Sequence, residues 1–87
     1  MKAQTILKYP LNIQDSITLR MPKKASILSF QMQDSTPCIW ALIDPEEELE
    51  NRNFKCYGTG DDLILKSQRY VGTLQFYPCV WHLFEVI

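Results

Sequence analysis

Cys38-Ile39-Trp40-Ala41-Leu42-Ile43 is apolar at every position and is bounded by Pro37 on one side and Asp44-Pro45 on the other. The run is too short for a stable globular helix, so it reads as a β-strand. Because both of its faces are apolar, the strand is expected to be central in its sheet, covered on both sides or set against another subunit. A second strand is expected over Asn53 to Tyr57, ending in the Gly58-Thr59-Gly60 turn and neighbouring the first across an acidic connection.

The rest of the chain repeats this grammar. Gln4 to Tyr9 alternates and stops at Pro10, as an edge strand would, since proline has no N–H to give to a ladder. Ile17, Leu19 and Met21 share one face, and Leu28, Phe30 and Met32 share another; the polar Lys23-Lys24 connection between them predicts an antiparallel hairpin. Asp44 to Glu50 holds five of the ten acidic residues, so a solvated loop or one fraying helical turn starting at Pro45 is expected there. Leu63 to Leu65 is a brief apolar patch. Arg69 to Tyr77 alternates, and Gly72 within it predicts a bulge or a close approach by another backbone. In Val80 to Ile87, Val80, His82, Phe84 and Val86 fall on one face and Trp81, Leu83, Glu85 and Ile87 on the other. About seven short strands with turn signals between them predict an all-β fold, a small antiparallel sandwich or barrel, filling one domain over 1–87.

Charge and length narrow the classes of function. An 87-residue chain buries about 60–65% of its unfolded surface, so its stability margin is small and oligomerisation would help it. Nine basic against ten acidic residues, a net charge of −1, argue against duplex binding, which depends on many cations neutralising phosphates. No apolar run has the length of a membrane-spanning helix, and the N-terminus has no signal-peptide pattern; a cytosolic protein that does not enter membranes is expected. Cys38, Cys56 and Cys79 are odd in number and lack metal-ligand spacing, which predicts three buried free thiols. No metal or other cofactor is expected.

Candidate ligand contacts gather around the glycine turn. Gly58, Thr59 and Gly60 could form a backbone nest for an anion, with Arg69 and Lys55 as cations and Tyr57 or Tyr70 as stacking faces. Against this, Asp61 and Asp62 place negative charge beside the turn and no helix follows it. His82 has no second histidine to make a metal pair, and as the base of a Cys–His nucleophile it would need one of the three cysteines beside it in space. Trp40 and Trp81 are core or interface residues; with His82 they are the candidates for an interface between subunits. No residue is assigned a catalytic role.

Trp40-Ala41-Leu42-Ile43-Asp44-Pro45, Tyr57-Gly58-Thr59-Gly60 and Val80-Trp81-His82-Leu83-Phe84-Glu85, with Ile6-Leu7-Lys8-Tyr9-Pro10-Leu11 and Ile27-Leu28-Ser29, resemble segments of a family of short uncharacterised proteins encoded mainly by bacteriophages. The likeness spans nearly the whole chain. Relatives often carry a histidine after the Gly-Thr-Gly turn, where this chain has Asp61, leaving Thr59 and His82 as the positions of interest. The resemblance implies a non-enzymatic phage accessory protein in the host cytoplasm. It would antagonise host antiviral defence by occluding a host protein or sequestering a small signalling nucleotide; the alternative is a virion structural or decoration protein. Apart from the resemblance, the apolar faces of Cys38 to Ile43 and of Val80 to Ile87 predict a homo-oligomer.

Overall fold

In the computed structural model, which describes residues 3–64 and 67–87, the chain is a β-sandwich of seven strands without a helix among those residues. The strands are β1 (Thr5–Pro10), β2 (Ser16–Pro22), β3 (Ser26–Gln33), β4 (Thr36–Ile43), β5 (Leu49–Gly58), β6 (Gln68–Phe76) and β7 (Cys79–Val86). One sheet has the order β1-β4-β3 and the other β2-β5-β7-β6, with every neighbouring pair antiparallel. The apolar run sits in β4, the centre of the smaller sheet. Its Ile39, Ala41 and Ile43 are buried toward the core, while the alternate positions Trp40 and Leu42 are half-buried on the outer face.

Two expected strand pairings are not formed. The Ile17–Met21 and Leu28–Met32 segments lie in different sheets, because β2 pairs with β5 and β3 with β4. Likewise Cys38–Ile43 and Asn53–Tyr57 do not neighbour each other; they belong to opposite layers. Period-2 alternation reports that a strand has one apolar face, and that face is buried equally well beside its partner or across the core from it. After Pro22, Lys24 takes a left-handed conformation (φ 67°), Ala25 N–H bonds back to Pro22 C=O, and the chain passes from one layer to the other.

The main core is built from both sheets, with Phe30 and Ile39 facing Ile17, Phe54, Cys56, Leu74 and Leu83. Phe54, Ile39 and Leu83 are fully buried, and each contributes roughly 1.5–3 kcal/mol by leaving water. Gly72 adjoins the expected bulge, and its close neighbour is a side chain rather than another backbone. Val71 is an extra, unpaired residue in β6, and a Cβ on Gly72 would lie 3.3 Å from Phe30 Cβ across the sandwich.

The acidic segment is shorter than expected, because Leu49 and Glu50 already belong to β5. It forms a turn in which Asp44 accepts the Glu46 N–H at its side chain (3.0 Å) and the Glu47 N–H at its carbonyl (3.1 Å). The four edge strands carry features that discourage pairing with another chain: Lys8 and Pro10 in β1, Pro22 in β2, and unpaired bulge residues Leu28 in β3 and Val71 in β6. Of the Leu63–Leu65 patch, Leu63 is half-buried, Ile64 is exposed, and Leu65 lies outside the described residues.

Candidate functional site on the four-stranded sheet

Alternation along β7 turns Leu83 and Glu85 into the sandwich, so His82 and Phe84 face outward. The ladder then sets Tyr57 and Thr73 on either side of His82, and Tyr70 beside Phe84. Both imidazole nitrogens are engaged: Thr59 Oγ1 is 2.8 Å from Nε2 and Thr73 Oγ1 is 3.0 Å from Nδ1. A neutral ring donates at one nitrogen and accepts at the other, and the two hydroxyls rotate to suit. The chain continues from Thr73 Oγ1 to Tyr70 OH at 2.5 Å.

Beside this relay the Phe84 ring makes T-shaped contacts with two tyrosines, Tyr57 at 5.6 Å between centroids and Tyr70 at 5.5 Å. Tyr57 is fixed further by its OH, which donates to Gln68 Oε1 (2.9 Å), while Gln68 Nε2 donates to the Ile64 carbonyl (3.1 Å). Tyr57, Tyr70, His82, Phe84 and the Gly58–Asp61 turn border a concavity of about 260 Å³, lined also by Leu63. That volume lies below the range of about 300–1,000 Å³ typical of sites for drug-sized ligands, so it suits one ring system rather than a large molecule.

The glycine segment forms a tight turn rather than an anion nest. Gly58 N–H donates to Asp61 Oδ2 (2.7 Å) and Asp61 N–H to Gly58 C=O (3.1 Å), so two of the turn's amides are already used, and a carboxylate occupies the place an anion would take. Gly60 adopts φ +97°, the reason glycine is needed at that position. Of the sequence candidates, Tyr57, Gly58, Thr59, Gly60, Tyr70 and His82 come together in this concavity; Arg69 and Lys55 do not line it. Arg69 points to the other face of the sheet, because it is adjacent to Tyr70 in an extended strand, and there it bonds Glu85.

Residues 2–87 match the family described as Domain of unknown function (DUF7352). The chain belongs to that family. No curated protein and no solved structure matches it. DUF7352 membership assigns no residue a role, so the site in this DUF7352 domain rests on its geometry.

That geometry removes the Cys–His option. Cys56 occupies an inward position of β5, opposite in face to His82, and Cys38 lies in the other sheet. Burial, with the negative charge of Asp15, also pushes the Cys56 thiol up and away from the reactive thiolate. Cys79 corrects the expectation of three buried thiols: it is exposed, at the start of β7, while Cys38 and Cys56 are buried, and all three are free. Three places along the chain separate Cys79 from His82, an odd number that sets them on opposite faces. Trp81 packs half-buried against the main core and Trp40 sits half-buried on the outer face of the three-stranded sheet, so the interface candidates do not form one surface. Among the described residues, no cluster of three or more His, Cys, Asp or Glu is placed to hold a metal ion.

Sequence reasoning missed Arg52 and Glu85. Arg52 shares the inward face of β5 with Phe54 and Cys56, and Glu85 shares that of β7 with Leu83. Arg52 engages Glu85 through two contacts, Nε to Oε2 and Nη2 to Oε1 (3.0 Å), and its Nη1 donates to the Ala25 carbonyl (2.9 Å). Arg69 Nη2 donates to Glu85 Oε1 from the other side (3.0 Å). Burial alone would raise the Glu85 pKa, but hydrogen bonds from Arg52 and Arg69, and their charges, outweigh it and hold the carboxyl below its ordinary range. The signal was present in the alternation, which put opposite charges on two inward faces.

Proposed function

We propose that the domain is a non-enzymatic binding protein that captures a small planar ligand, a nucleotide by its base, in the concavity between the glycine turn and Tyr70. The observation that carries this reading is the preformed aromatic wall of Tyr57, Phe84 and Tyr70 beside a histidine held between two hydroxyls. More than half of Tyr70 is exposed (56%), so its ring offers a stacking face, while the Thr59–His82–Thr73 relay supplies polar edges without a free nucleophile. The resemblance to phage-encoded proteins gives this capture a setting. There the domain acts in the host cytoplasm as an antagonist of antiviral defence, sequestering a signalling nucleotide or occluding a host protein.

A second reading, a virion structural or decoration protein, draws on a different face. Ile6, with 59% of its surface exposed, lies in register with Leu42 on the outside of the three-stranded sheet, and Trp40 follows on the same face. Such an apolar face favours association with further copies of this chain.

Calorimetric titration with uncharged nucleosides and with mono-, di- and cyclic nucleotides tests the first reading. Micromolar binding that Tyr70→Ala weakens by roughly tenfold or more is expected, since stacking on one aromatic ring contributes about 1–3 kcal/mol. The nucleotide should be recovered unchanged. Turnover, or the absence of heat with every compound, contradicts the reading.

A further inference from the structure

A second concavity opens where the start of β3 faces β6, with a volume of about 500 Å³. Its wall carries Arg52, Arg69 and Glu85 together with Ser26, Ser29 and Tyr70. We propose that this cleft binds a small oxyanion, the phosphate or carboxylate group of an organic ligand, and that Arg69 is the cation that recognises it.

The lining charges do not cancel. Two guanidinium groups face one carboxylate, so one positive charge is in excess; Arg52 makes the paired contacts to that carboxylate and spends Nη1 on the Ala25 carbonyl. Arg52 is therefore committed to the fold. Glu50, whose charge also acts on Arg52, does not line the cleft. Arg69 is the surplus cation. Its side chain is 62% exposed, and among the described residues its one hydrogen-bond partner is Glu85. Most of the planar donor fork is left for a ligand, in the geometry that matches two oxygens of a phosphate or carboxylate. Glu85 meanwhile holds the guanidinium in place, which lowers the ordering cost a free surface arginine would incur on binding.

This site stands independently of the aromatic concavity. The two open on opposite faces of the four-stranded sheet and share only Tyr70 in their linings.

The test is titration of the ¹⁵N-labelled chain with sodium phosphate at constant ionic strength, with sodium acetate in parallel. Saturable amide shifts at Ser26 to Ser29 and at Arg69 to Val71 are expected with at least one of the two, and which anion saturates identifies the ligand group. Arg69→Gln is expected to weaken binding at least tenfold, as loss of a charge-assisted contact does, with the melting temperature nearly unchanged. Arg69→Lys, which keeps the charge and loses the fork, should fall between and serves if the glutamine variant folds poorly. Lys55→Gln removes one exposed positive charge outside the cleft and should hold affinity within about twofold. Shifts that grow linearly without saturating, an Arg69→Gln variant that binds as well as the parent, or an equal loss in Lys55→Gln would overturn the proposal.

Discussion

Replacing Glu85 by glutamine tests how much the buried ion pair on the inward face of the four-stranded sheet contributes to stability. The carboxylate is 6% exposed and its partner Arg52 13%, so the substitution leaves a buried guanidinium facing a neutral amide. Removing one partner of a buried ion pair costs about 3–5 kcal/mol, and the isosteric amide, which still accepts a hydrogen bond, puts the expected loss near 3 kcal/mol. The exposed Arg69 arm adds little to this. Unfolding entropy of about 2.1 cal/mol/K per residue gives ~0.18 kcal/mol/K for 87 residues, so the melting temperature should drop by about 16 °C. In a small domain of marginal stability that is a large share of the total. The effect carries a pH signature. Because the folded pKa of Glu85 is lowered, its contribution is complete above the ordinary carboxylate range and is lost as pH falls below 4.5 through the folded value, so parent and variant should converge on acidification. Calorimetric melting of both proteins from pH 7 down to pH 3 measures this, with Arg52→Met/Glu85→Leu as the companion variant expected to recover most of the loss. A drop under about 3 °C at pH 7, or a difference that grows on acidification, would refute the reasoning.

Other consequences are smaller and independent. Gly72→Val should destabilise by about 1–3 kcal/mol in chemical denaturation, because the added Cβ meets Phe30 at 3.3 Å and the branched methyls crowd the same ring. Glu46→Gln with Glu48→Gln should change stability by under about 0.5 kcal/mol, since both side chains are exposed, while the neighbouring Lys24–Glu47 ion pair at 3.5 Å is a surface pair with a value of ~0–1 kcal/mol. Light scattering at micromolar concentration should give a mass above the 10.2 kDa of one chain, and Leu42→Lys should return it to that value; a parent protein that is monomeric at every concentration would remove the apolar outer face as an assembly surface.

Strand number, most strand faces and the Gly72 bulge were legible in the sequence because each leaves a local mark: alternation, a proline stop, a glycine where a side chain would collide; in β6 the bulge sets Tyr70 on the face opposite Leu74, where unbroken alternation had grouped the two. Layer assignment was not. Ile17–Met21 and Leu28–Met32 carry the same alternation whether they pair edge to edge or face each other across the core, and only the whole set of strands decides between these. The site was half legible. Tyr57, the glycine turn, Tyr70 and His82 were grouped by residue type and do converge, but Arg69 was grouped with them although its parity against Tyr70 places it on the opposite face. The same parity, applied to Arg52 beside Phe54 and Glu85 beside Leu83, would have shown the buried pair.

The most direct test of the binding site is an amide chemical-shift map of the ¹⁵N-labelled domain titrated with an uncharged nucleoside, which probes the aromatic concavity without engaging the arginine cleft. The account predicts saturable shifts confined to Tyr57 to Asp61, Tyr70, His82 and Phe84, and their loss in Tyr70→Ala. Shifts centred elsewhere on the sandwich, or none at millimolar ligand with any of the common nucleosides, would contradict it.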